Sequence, residues 1–385
     1  MTTQRVEPPI VSRRWPRRAA YASAAGLAVL LPTSTAGATW FMAGLVVNAT
    51  AGPQYPIRIR GASGGRVTLS RTPDVVRPLQ LSLVWPDGHA RLGPVVTSDR
   101  NTVVREVIEV TRGKLRAGIR CYSSSHFFEG DPRSARGLDF TEVMVPTPLG
   151  DMPAWLVPST IDGPPSDTWI ITVHGRGAPR GESLRILPTL AASGHPTLSI
   201  TYRNDLGAPS SFDRRFHLGD TEWEDLRCAI EFARSQGAKD VILYGWSMGG
   251  AIVLTLLRRW KHEGFVRSVI LDCPVVDWTA TLQQNARQLA VPAAWTWTAL
   301  RLVERRLRLR LADLDQRPFA PDLDVPVLLF VDQDDLTVAP GPTIEFGAAR
   351  PDLVELVVTR EAGHCRGWNQ DAAAYESAVR SFLAQ

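Results

Sequence analysis

From Thr168 to the C-terminus, short apolar runs alternate with stretches of helical periodicity, and this alternation leaves few folds open. The strand candidates are residues 169–173, 197–202, 240–244, 269–272, 327–331 and 353–358. Between and after them lie helix candidates at 182–193, 220–236, 248–260, 281–289, 294–312, 342–349 and 370–383. Repeated strand–helix–strand order predicts an α/β fold, with a mostly parallel sheet covered by helices on both faces. The preceding texture differs. Residues 66–70, 79–85, 103–110 and 140–145 read as strands separated by Gly, Pro and Asp, with a turn at Trp85-Pro86-Asp87-Gly88-His89. Segments 140–146 and 152–158 flank Thr147-Pro148-Leu149-Gly150-Asp151 and predict an antiparallel hairpin at the start of the larger sheet.

The N-terminus reads as an export device. Arg5, Arg13, Arg14, Arg17 and Arg18 precede an uncharged stretch, 19–57, whose most apolar part is 20–47. That run exceeds the roughly 20 residues a bilayer core requires, and the arginines before it place the N-terminus on the cytoplasmic side. A cleaved signal is the alternative, with an apolar core at 23–31, Pro32 as breaker and Ala36-Gly37-Ala38 as cleavage pattern. Both readings put the rest of the chain outside, as a single-pass membrane protein or a secreted one. The expected organisation is a basic arm at 1–18, an anchor or signal at 19–50, a β-rich segment at 54–136 and the α/β domain at 137–385.

Composition narrows the functional classes. The formal charge of +4 comes from 43 basic and 39 acidic residues, and the arginine-rich arm accounts for it, so no nucleic-acid partner is expected. Cys121, Cys228, Cys273 and Cys365 give neither a disulfide scaffold nor a metal-ligand spacing. No phosphate-cradling glycine loop or nicotinamide fingerprint is present, so neither a cofactor nor a metal is expected.

The chemistry concentrates at Gly245-Trp246-Ser247-Met248-Gly249-Gly250, between the strand at 240–244 and the next helix. A nucleophile raised above a sheet needs a sharp strand-to-helix turn, and such a turn tolerates little bulk two residues either side of the serine. A base must follow in the order serine, acid, histidine. Only His262 and His364 lie beyond Ser247; His262 falls within a charged helix end, whereas His364 follows the strand at 353–358. The orienting acid is sought in Asp332-Gln333-Asp334-Asp335, where Asp335 fits a D-x-x-V pattern and Asp334 stands next. For the oxyanion, the amide of Met248 is one expected donor. Arg176, or else Gly177, supplies the other from the loop His174-Gly175-Arg176-Gly177.

These four segments together resemble the α/β-hydrolase superfamily over 140–385. Glu222-Trp223-Glu224-Asp225-Leu226 and the Ser247 turn are similar to actinobacterial membrane-anchored hydrolases related to prolyl-oligopeptidase-type and acyl-transferring members. The resemblance implies an eight-stranded, mostly parallel sheet and cleavage of an ester, thioester or amide through an acyl-enzyme. An acyltransferase, or a non-catalytic binding protein on the same fold, is the alternative. The stretch 277–325 is read as either a lid or an amphipathic helix packed on the core, and Trp246, Trp278, Trp295 and Trp297 are expected around a small acyl substrate. Arg301, Arg305, Arg306, Arg308 and Arg310 form a basic run there, and Tyr202-Arg203-Asn204-Asp205 is placed to line the site or brace a loop.

Overall fold

The computed structural model describes residues 54–163, 166–261 and 264–385, with Gly44 standing alone before them. The basic arm, all of the expected anchor or signal except Gly44, and His262 lie outside the described residues. No described helix is long and apolar enough to cross a membrane.

Strands β1 (Ile57–Ser63), β2 (Arg66–Ser70), β3 (Leu81–Trp85), β4 (Gly88–Ser98), β5 (Thr102–Arg112) and β6 (Arg120–Ser124) close into a barrel. Their order is β1-β2-β5-β4-β3-β6, so every strand edge finds a partner. Period-two alternation drives the closure: Ile57 and Ile59 point inward while Arg58 and Arg60 face water. Inside, Val67, Leu69, Leu83, Trp85 and Val103 form a core separate from that of the main sheet. Arg105 is fully buried and donates to the carbonyls of Gly93, Val75, Arg77 and Leu79, so that backbone acceptors satisfy its guanidinium. Sequence patterning located β2, β3 and β5 but not β1, β4 or β6. The Gly and Pro residues of β4 read as turn punctuation, and its register against β5 shifts repeatedly.

A short helix, α1 (Pro132–Arg136), leads into the hairpin β7 (Thr141–Val145) and β8 (Met152–Val157). Then follow β9 (Thr168–Val173), α2 (Leu187–Ala191), β10 (Thr197–Ile200), α3 (Trp223–Ser235), β11 (Asp240–Trp246) and α4 (Met248–Arg259). Next come β12 (Val266–Asp272), α5 (Trp278–Gln288), α6 (Ala293–Leu307), β13 (Val327–Asp332) and α7 (Pro340–Ala348). The chain finishes with β14 (Val354–Thr359), α8 (Gly367–Gln370) and α9 (Ala372–Leu383). The eight-stranded sheet runs β14-β13-β12-β11-β9-β10-β8-β7, parallel from β14 to β10 and antiparallel where β8 pairs with β10 and with β7.

Alternate residues feed cores on opposite faces. Leu243, Val269 and Leu329 pack under α3 and α4, while Ile242, Tyr244, Ile270 and Leu328 face α9. Two helix expectations need correction. The stretch 182–193 is a 3-10 turn (Arg180–Arg185) followed by α2, because Pro188 has no N–H with which to continue the earlier turn. The stretch 294–312 breaks at Arg308, whose φ of 55° ends α6 in a left-handed cap.

The barrel sits against the loop that follows β14. Arg77 donates to the carbonyls of Glu361 and Ala362 at 3.2 Å each, and Arg366 pairs with Asp74 at 2.9 Å. Asn369 donates to the carbonyls of Gln80 and Ser125, and its own carbonyl accepts from the Gln80 amide.

Candidate active site

The turn after β11 is defined by close approach. A Cβ on Gly245 would lie 2.7 Å from the Gly249 carbonyl oxygen, and one on Gly249 would lie 2.0 Å from that of Val173. Neither position can carry a side chain. Ser247 adopts φ 52° and ψ −116°, a strained conformation for a residue with a Cβ. The turn raises its hydroxyl above the C-terminal edge of the sheet.

His364 arrives from the loop after β14, and its Nε2 lies 2.8 Å from Ser247 Oγ. Its Nδ1 lies 2.7 Å from Asp335 Oδ2. The other Asp335 oxygen accepts the amides of Thr337 at 2.7 Å and Val338 at 3.0 Å, which fixes the carboxylate. Burial opposes a charge on His364, but the Asp335 carboxylate, by charge and hydrogen bond, raises its affinity for a proton above the ordinary imidazole value. Asp334 does something else: its Oδ2 accepts the Glu361 amide at 3.0 Å, bracing the loop that carries His364. Asp332 supports the same loop through Thr359 Oγ1 at 2.9 Å and the Ala362 amide at 3.1 Å. The acidic cluster thus divides into one partner for the histidine and two supports for its loop.

The loop after β9 faces Ser247 from the other side. A Cβ on Gly175 would lie 3.2 Å from Ser247 Cβ, so the two backbones are in near contact. The Gly175 amide is already committed to Glu182 Oε2 at 2.8 Å. Arg176 borders the cavity beside Ser247, whereas Gly177 does not line it. Met248 opens α4, where an amide has no acceptor within its own helix. His174 is held from both ring nitrogens, by Asp205 Oδ2 at 2.7 Å and the Gly175 carbonyl at 2.9 Å, and it stacks on Tyr202. Tyr202 donates in turn to the carbonyls of His174 and Gly175. The Tyr202–Asp205 segment therefore braces this loop and does not line the cavity.

A cavity of about 250 Å³ opens at Ser247. Its apolar wall comes mainly from Trp278, Leu282 and Ala286 of α5 and from Ala299, Leu300 and Val303 of α6. Trp278 also anchors its Nε1 to the Leu218 carbonyl at 2.9 Å. Gln284 of α5 donates to the Asp335 carbonyl at 3.0 Å, tying this cover to the loop of the acid. The other three tryptophans are corrected. Trp246 alternates to the opposite face of β11 and stacks on Tyr244, Trp295 does not reach the cavity, and Trp297 is 62% exposed beneath the Arg301 guanidinium. Of the basic run, Arg301 pairs with Glu304 and Arg310 with Asp313 on a solvated face.

Several contributors escaped sequence reasoning. Glu182, Arg185 and Arg77 each hold a backbone group of the loops after β9 or β14, and Asn369 accepts from Arg185 while donating to the Gln80 and Ser125 carbonyls. No local signal marks Arg185, Asn369 or Arg77, whose partners are distant in sequence, while Glu182 reaches back seven residues to Gly175.

A domain of unknown function matches residues 58–124, the barrel. Solved structures with similar folds include an esterase of Pyrococcus furiosus in two crystal forms. One is 18% identical with a TM-score of 0.53, the alignment covering 66% of this chain and 96% of that one. The other is 19% identical with a TM-score of 0.54, covering 66% and 94%. The alpha/beta hydrolase family matches residues 170–378, more than half of the sequence and nearly all of the parallel sheet. With that match and this sheet order, the chain belongs to the alpha/beta hydrolase family.

Proposed function

We propose that the protein is a serine hydrolase that cleaves carboxylic esters of short acyl chains through an acyl-enzyme. The observation that carries this reading is the unbroken line Asp335–His364–Ser247, with bonds of 2.7 and 2.8 Å, ending at an apolar cavity. In the reaction, Ser247 Oγ attacks the substrate carbonyl while His364 Nε2 takes the hydroxyl proton. Asp335 stabilises the imidazolium that results. The negative oxygen of the tetrahedral intermediate accepts from the amides of Met248 and Arg176. Collapse breaks the ester bond, and His364 returns the proton to the departing alcohol. Water then attacks the acyl-enzyme, His364 takes its proton, and the carboxylic acid leaves as Ser247 is restored.

The cavity lies just below the roughly 300–1,000 Å³ typical of small-molecule sites, which favours a short acyl group. The esterase activity of the Pyrococcus furiosus neighbour supports an ester rather than an amide as first substrate to test. Ser247→Ala should remove hydrolysis of p-nitrophenyl esters and labelling by a fluorophosphonate, with the circular dichroism spectrum unchanged. Retained turnover refutes the assignment. A chain-length series with optimum at long acyl groups would refute the short-chain part alone. The export reading of the N-terminal run is part of this proposal, and fractionation of cells expressing the full chain tests it.

A further inference from the structure

Beside the proposed base lies a second cluster that hydrolysis does not use. Cys273, directly after β12, and Cys365, directly after His364, are both free and buried. One ligand atom from each of Cys273, His364 and Cys365 falls within 4.8 Å of the others. Cys365 Sγ is 3.7 Å from His364 Nε2, and the Cys365 amide donates to Cys273 Sγ at 3.4 Å. Both cysteines hold left-handed backbone conformations, φ 47° and 51°, which residues with a Cβ adopt rarely and mostly where tertiary structure imposes it. The two thiols lie 92 positions apart, so no spacing motif could have announced the cluster.

We propose that Cys273, Cys365 and His364 Nε2 form a binding site for a thiophilic d10 cation, Zn2+, whose occupancy switches the hydrolase off. Two thiolates and an imidazole are a familiar zinc ligand set, and with three protein ligands one coordination position stays open. Tetrahedral zinc, with bonds of about 2.3 Å to sulfur and about 2.0 Å to nitrogen, needs ligand atoms somewhat under 4 Å apart. The observed cluster requires only a small contraction to meet that. Outer-shell requirements are already met. A zinc-bound histidine ordinarily gives its second ring nitrogen to a carboxylate, and His364 Nδ1 is bonded to Asp335. The Cys365 amide supplies a donor to the Cys273 sulfur. On binding, each thiol, and the His364 ring where it is protonated, releases its proton to solvent as sulfur and nitrogen bond the metal; no electrons are transferred. The lone pair that would take the Ser247 proton is then bound to zinc, so the Ser247–His364 hydrogen bond is lost. The His364 side chain is partly exposed, which gives a cation an approach to the two buried thiols.

The inhibitory consequence rests on the reading of His364 as the base, whereas binding itself does not. The full chain, reduced and metal-free, is titrated with Co2+ as a spectroscopic substitute and then with Zn2+. The expected result is one ion per chain, a thiolate-to-cobalt charge-transfer band, displacement by Zn2+, and loss of esterase activity restored by a chelator. Cys273→Ser and Cys365→Ser should keep esterase activity yet weaken Zn2+ binding by at least the roughly 10–100-fold that outer-shell changes cost. Ser247→Ala, inactive, should still show the band. Absence of a thiolate band in the native chain overturns the site without recourse to variants, as does a native Cys273–Cys365 disulfide seen by mass spectrometry. Zinc inhibition undiminished in both serine variants overturns it too. A band without inhibition leaves the site standing and overturns His364 as the base.

Discussion

Two histidine–aspartate pairs flank Ser247, each with a 2.7 Å bond, and they do different work. His174 is 1% exposed and spends both ring nitrogens on protein, one on Asp205 and one on the Gly175 carbonyl. His364 spends only Nδ1 and leaves Nε2 facing the serine hydroxyl. In both, burial disfavours the charged ring and the neighbouring carboxylate outweighs it, raising the proton affinity. The carboxylate pairing is therefore common to a brace and to the proposed base. What separates them is whether the second nitrogen is free to exchange a proton with a reacting group.

Substitutions can sharpen that contrast. The largest effect is expected from Asp335→Asn, which should lower kcat by about 10⁴-fold, as loss of the orienting carboxylate does in serine hydrolases generally. Asp334→Asn, one residue away, should change kcat little, and equal losses would erase the distinction between the two acids. Next, His174→Gln should lower kcat by up to about 10²-fold by releasing the loop of Arg176. It should also cost about 1–3 kcal/mol of stability, because Asp205 loses its ring partner and keeps only the Tyr202 amide. Denaturant melts measure the second effect, and wild-type stability there would contradict the bracing role.

The pH profile distinguishes the pairs in another way. A base works only when neutral, and a raised proton affinity keeps His364 protonated to higher pH. The acid limb of kcat/KM should therefore lie above the roughly 6.5 of free imidazole, activity rising with pH through it. His174→Gln should scale the curve without moving that limb, and a shift would merge the two roles. The smallest effect is assigned to the barrel. Arg77→Ala removes donors to the Glu361 and Ala362 carbonyls and should lower kcat by about tenfold, about 1.4 kcal/mol, with KM unchanged. Unaltered kcat would reduce the barrel to a neighbour of the histidine loop.

Legibility was uneven for physical reasons. The parallel sheet could be read because strands buried on both faces must be almost continuously apolar, as 327–331 is throughout and 169–173 is apart from Thr172. Ser247 could be read because a crowded turn forces glycine at 245 and 249, and steric exclusion leaves a local imprint. The barrel was half legible: β2 alternates cleanly and β5 is rich in valine, while β4 is interrupted by Gly93 and Pro94 and by shifts of register. Trp246 was misplaced because a position next to the nucleophile in sequence points, by strand alternation, to the far side of the sheet.

The sequence by itself determined the alternation that makes the α/β sheet, the glycine-flanked serine, and the order in which serine, acid and histidine follow. Those features are local, and local sterics and burial write them directly into residue type. Only the tertiary structure decided that Asp335 reaches His364 while Asp334 holds the Glu361 amide, that α5 and α6 wall the cavity, and that Cys273 meets Cys365. Each depends on where loops from separate strands converge above one sheet edge, and long-range packing sets that convergence.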